Sequence, residues 1–103
     1  MKTMSEKANQ IYMDYQAMLQ KAGRLEELAE ELSSAAQDEY NICGLGQRAW
    51  QGDSGGMFRE KTTRSGKKLE KRAKELKKAA SALRKTAKRQ YEMEMKLAAL
   101  FGK

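Results

Sequence analysis

Apolar side chains recur through the first part of the chain at alternating intervals of four and three: Met4, Ala8, Ile11, Tyr15, Met18, Ala22, Leu25, Ala29, Leu32 and Ala36. A mean interval of about 3.5 residues is the period of an a/d seam on one face of an α-helix, and here it is held for about five heptads. Tyr12, Leu19 and Leu28 lie beside the seam and widen the apolar face. The outer face carries Glu26, Glu27, Glu30, Glu31, Asp38 and Glu39. Period-two alternation is absent, which excludes a strand. Gly23 costs about 1 kcal/mol against alanine in a helix interior, too little to interrupt so long a pattern. The spacing predicts a helix over about residues 4–42.

The same rhythm resumes in the second half as Phe58, Thr62, Ser65, Leu69, Ala73, Leu76, Ala80, Leu83 and Ala87. It is weak before Leu69 and strong from there to Ala87. Beyond that point a strict continuation would put Gln90 and Glu94 in the seam, so the register loosens, with Tyr91, Leu97, Leu100 and Phe101 as candidate contacts. A second helix is predicted over about residues 56–100. Between the two patterns, five of the chain's eight glycines fall within residues 44–56. Glycine supplies positive φ and closes helix ends, so a turn is expected over about 43–55. Two helices of about 60 Å, at 1.5 Å per residue, joined by one short break make an antiparallel hairpin. The expectation is an all-α protein, with residues 1–103 forming a single helical hairpin.

Charge sharpens this picture. Residues 1–52 hold five Lys/Arg against eight Asp/Glu, while the net charge of the whole chain is +7. An acidic helix therefore precedes a strongly basic one. Folding back lays unlike charges side by side, although each exposed pair adds only about 0.5 kcal/mol. A two-helix hairpin gives each helix a single neighbour and buries little surface. Oligomerisation is the expected remedy, with Ile11, Tyr15, Met18, Leu25, Leu32, Leu69, Leu76 and Leu83 holding the hairpin and its partner.

The stretch Gly52-Asp53-Ser54-Gly55-Gly56 matches the surroundings of the nucleophilic serine in trypsin-like proteases. The match fails on chemistry. Such a serine needs a base within hydrogen-bond reach, usually histidine, and the chain has none. Asp53 or Ser54 instead suits the N-cap of the second helix, where a side-chain oxygen accepts hydrogen bonds from the first N–H groups. Without histidine there is no ordinary zinc or iron site. The lone Cys43 excludes an internal disulfide and reads as a small residue near a helix end. No catalytic constellation, metal site or cofactor is expected, and the chain is read as a non-enzyme. No segment approaches the ~18–20 apolar residues of a membrane span, and the N-terminus lacks a signal-peptide core.

Trp50-Gln51-Gly52, placed at the midpoint of paired heptad patterns, resembles the WXG family, the small helical-hairpin proteins of type VII secretion. The resemblance covers the length, the central motif, the proline-free arms and the seams on both sides. It implies a Trp-X-Gly turn at Trp50 and Gly52, with Gly52 turning the backbone where a Cβ would clash. It further implies homodimers or heterodimers with another WXG-type or LXG-type helical protein, two hairpins pairing into a four-helix bundle dimer. Export would proceed folded, from the cytoplasm to the outside, by a type VII secretion ATPase and without a cleaved signal. Family export signals often add a Tyr-x-x-x-Asp/Glu segment after the second helix. Here Tyr91 is followed at that spacing by Met95, and the chain stops at Phe101-Gly102-Lys103, so a partner is expected to supply that part. The basic second helix departs from the usual acidic members. It favours a targeting partner or chaperone of a secreted effector over a freely secreted dimer.

The basic run from Gly66 to Gln90 also admits a reading as a helical nucleic-acid-binding protein. Glu70 and Glu75 interrupt that run, Leu69, Ala73, Leu76, Ala80 and Leu83 commit one side to packing, and no aromatic is interleaved for base stacking. A membrane-surface helix meets a similar objection, since apolar aromatic anchors are missing between Phe58 and Tyr91.

Overall fold

A computed structural model describes residues 3–49 and 52–101, and their side chains except at 4, 46–49, 53 and 54. All but two of these residues fall in two α-helices, α1 (Met4–Ala49) and α2 (Asp53–Phe101). No strand occurs among the described residues. The chain is all-α, as the heptad spacing requires.

Helix α1 begins on a reciprocal cap that the hydrophobic pattern did not reveal. The Thr3 hydroxyl accepts from the Glu6 N–H at 3.1 Å, and a Glu6 carboxylate oxygen accepts from the Thr3 N–H at 3.3 Å. Two N–H groups that a helix start leaves orphaned are thereby satisfied. The far end of α1 lies at Ala49, beyond the expected stop near residue 42. Gly44 and Gly46 raise the local cost of helix by about 1 kcal/mol each without ending it. Helix α2 likewise starts at Asp53 rather than 56. The Gly52 carbonyl already accepts from the Gly56 N–H at 3.0 Å, so helical bonding begins at Gly52. The break is correspondingly shorter than the glycine content predicted.

Contacts divide the chain into two compact units: a terminal unit of Met1–Leu25 with Lys78–Lys103, and a turn unit of Glu26–Lys77. In the terminal unit Ala22, Ala80 and Ala87 are buried, and Tyr15 stacks on Tyr91 with ring centroids 4.7 Å apart. In the turn unit the buried residues include Ala29, Ala36, Cys43, Gly66 and Ala73. Facing pairs there are Glu30 with Lys77, Tyr40 with Gly66, and Cys43 with Thr63. Residue numbers rise on α1 as they fall on α2, so the helices run antiparallel within this unit.

The two halves of each heptad are not equivalent. Of the small positions spaced by seven residues, Ala22, Ala29, Ala36 and Cys43 on α1 and Gly66, Ala73, Ala80 and Ala87 on α2 are buried, while Ala8 near the start of α1 is half-buried. The large partners at Met18, Leu25, Leu32, Leu69, Leu76 and Leu83 are only half-buried. No large side chain is fully buried among the described residues. The separation of packed helices is set by the side chains at the contact, so a seam of alanine, glycine and cysteine draws the axes close. Large side chains do not fit in that gap and are displaced to its flank.

Candidate functional site

The turn contributes one described residue, Gly52, whose φ of 104° is the only positive value among the described residues. A Cβ built there meets nothing within 4 Å. The requirement for glycine is therefore conformational, not the crowding anticipated from the sequence. Trp50 lies outside the described residues, as do the side chains of Asp53 and Ser54. Their expected roles in export and capping stand as proposals.

Tyr40 and Gly66 form a contact that the heptad reading missed. A Cβ on Gly66 would stand 2.6 Å from Tyr40 Cε1, so the ring lies directly on the glycine backbone. Gly66 precedes Ala73 by one heptad, which was the available signal; the sequence reading had placed Ser65 in the seam. The acidity of the Tyr40 hydroxyl is weakened first by desolvation, then by the charge and hydrogen-bonding influence of the Glu70 carboxylate.

Cys43 extends the row Ala22, Ala29, Ala36 and is a free, buried thiol. Its Sγ donates toward the Arg59 carbonyl at 3.7 Å and lies 3.4 Å from Thr63 Oγ1. Hydrogen bonding by Thr63, then Thr62, shifts the thiol below its ordinary range, against desolvation, which raises it. Thr62 already donates to the Phe58 and Arg59 carbonyls at 3.0 and 3.1 Å, so Thr63 is the freer of the two hydroxyls. The adjacent depression, lined by Cys43, Arg59, Glu60, Thr63, Arg64 and Lys67, is wide open. A packed thiol beside an open surface has no base or enclosed cleft with which to act. Among the described residues no cluster of His, Cys, Asp or Glu could hold a metal.

The feature with the largest exposed consequence is the leucine row. Leu25 and Leu32 follow the small seam residues Ala22 and Ala29 by three positions. Leu69, Leu76 and Leu83 follow Gly66, Ala73 and Ala80 by the same three. An antiparallel pair is related by a two-fold axis perpendicular to the plane of its helices, which keeps front to front. Equal offsets therefore place the α1 and α2 leucines of a unit on one side of its seam. Of the expected interface residues, the turn unit joins Leu32, Leu69 and Leu76 in this way, and the terminal unit joins Leu25 and Leu83. Ile11, Tyr15 and Met18 are half-buried in the terminal unit beside Tyr91. Exposed apolar groups extend these faces: Leu28 and Ile42 in the turn unit, Met93 and Leu97 in the terminal unit.

The chain is small and all-α, with two long helices and with half-buried leucines in each of its two units. The model of the family described as WXG100, proteins of 100 residues with WXG, matches residues 10–94. The chain belongs to the WXG100 family. It is thus a small helical protein associated with type VII secretion, from a family of secreted proteins that typically form dimers and are not known as enzymes. No curated protein and no solved structure matches it. No helix among the described residues is long and apolar enough to cross a membrane.

Proposed function

We propose that this chain is a targeting partner of a type VII effector, pairing through its leucine faces with another WXG-type or LXG-type helical protein to complete a four-helix bundle. One observation supports the reading above others: among the described residues no large side chain is fully buried, while Leu32, Leu69 and Leu76 of the turn unit and Leu25 and Leu83 of the terminal unit stand half-exposed. Fully burying a leucine contributes about 1.5–3 kcal/mol, and these faces leave much of that gain unused. Self-pairing into a secreted homodimer would use the same faces. Trp50 and Gly52 are assigned to recognition by the secretion ATPase after pairing.

Tagged protein drawn from its native cells is expected to bring one helical partner in equal amount, with the purified complex giving a heterodimer mass by light scattering. A pure homodimer mass would move the assignment to the self-paired form. A stable monomer indifferent to Leu76→Glu would remove both. For the turn, Trp50→Ala is expected to leave pairing intact and reduce export; undiminished export would withdraw its recognition role.

A further inference from the structure

The side of α2 that faces away from its leucines carries a file of cations. In the turn unit the file is Arg64, Lys67, Lys71 and Lys74; in the terminal unit the same four-three spacing gives Lys78, Ser81, Lys85 and Lys88. All eight residues are exposed. Arg64 is held by Glu60 at 2.8 Å, and no lysine of the file forms an ion pair among the described residues. Members of the file stand two residues before and after each leucine: Lys67 and Lys71 about Leu69, Lys74 and Lys78 about Leu76, Ser81 and Lys85 about Leu83. Two residues turn an α-helix by about 200°, so the file looks directly away from the leucine row. A partner seated on the leucines leaves these lysines in solvent.

We propose that this face docks, through charge alone, on an anionic lipid surface. Clusters of Lys and Arg along one helix face are attracted to anionic leaflets, with contributions that accumulate per residue. The flanks of the file distinguish a plane from a groove. Glu70, between Lys67 and Lys74, borders it on one side, and Glu75, between Lys71 and Lys78, borders it on the other. A nucleic-acid groove raises phosphates on both sides of an inserted helix and would bring them against these carboxylates. A flat surface touches the file and leaves both glutamates at its margin. No aromatic or large aliphatic residue interrupts the file, so nothing on it inserts between acyl chains. The contact is peripheral, reversible and sensitive to salt. It requires no assignment of the partner that covers the leucines.

The test is co-sedimentation of the full-length protein with vesicles of phosphatidylcholine alone or mixed with phosphatidylglycerol. Binding is expected only to the mixed vesicles and is expected to vanish at high salt. Each lysine lost from the file should weaken it about fivefold, so Lys71→Glu, Lys74→Glu and Lys78→Glu together, each also adding an anion, should weaken it by more than about a hundredfold. The triple variant Lys7→Glu, Arg24→Glu and Lys96→Glu changes the net charge equally at exposed positions off the file, and is expected to change binding by only a few-fold. Circular dichroism of both variants confirms that the helices remain. Equal losses in the two variants would reduce the effect to net charge and overturn the proposal. So would failure to bind phosphatidylglycerol vesicles. Displacement by duplex DNA or polyglutamate that binds more tightly than the vesicles would give the face to a nucleic acid or an acidic protein instead.

Discussion

At the scale of the residue, two positions do work that composition does not reveal. Gly52 holds a φ of 104° with open space around its Cβ position, so the penalty for another residue lies in its own backbone. Gly52→Ala is expected to destabilise the fold by about 1–2 kcal/mol, measured by urea unfolding at fixed protein concentration. An unchanged midpoint would mean that the turn relaxes to negative φ. Tyr40, seated on Gly66, has its pKa raised above the ordinary 10.0 by desolvation and then by the Glu70 carboxylate. For a group with a raised folded pKa, the contribution to stability is complete below the unfolded value and is lost as pH rises through the folded one. Stability should therefore hold up to about pH 10 and decline above it, with a late phenolate component at 295 nm that Tyr40→Phe abolishes. Absence of that component would separate the ring from Glu70.

At the scale of the element, the heptad rhythm specified helices and their faces but did not rank the seam positions. Ala29 and Leu32 look equally central in a four-three series, yet one is enclosed and the other is half-exposed. The difference arises because small residues permit close approach of two axes, a decision that needs both helices at once. The consequence is testable at Leu76. Leu76→Glu is expected to abolish pairing, halving the mass in light scattering, while helix content by circular dichroism is retained at high concentration. Ala73→Leu should act in the opposite place, wedging α1 from α2 and lowering stability by about 1–3 kcal/mol. Loss of mass without loss of stability in that variant would put Ala73 at the outer face. The cross-helix ion pair of Lys77 Nζ with Glu30 Oε1, at 3.6 Å, is exposed on both sides and adds little.

At the scale of the whole molecule, the proposed pairing through half-exposed leucines ties stability to association. Binding that favours the folded state raises the apparent midpoint with concentration. The melting temperature is therefore expected to rise as the protein is concentrated, and to rise further on addition of the natural partner. A midpoint independent of concentration would show a core complete within one chain.

The sequence alone determined the all-α class, the two long helices, the central break and the family, because each is written in local periodicity or in a short motif. It also excluded the protease reading of the glycine-rich stretch through the missing base. It misjudged the length of the break: glycine content suggests where a helix can end, whereas α1 runs on to Ala49 and the Gly52 carbonyl already accepts the first bond of α2. Tertiary structure set Gly66 beneath Tyr40 and enclosed the alanines. Within each unit, antiparallel packing joined to the equal three-residue offsets sets the α1 and α2 leucines on one side of the seam. These outcomes depend on the distance and direction between two helices, which spacing along one chain does not encode by itself.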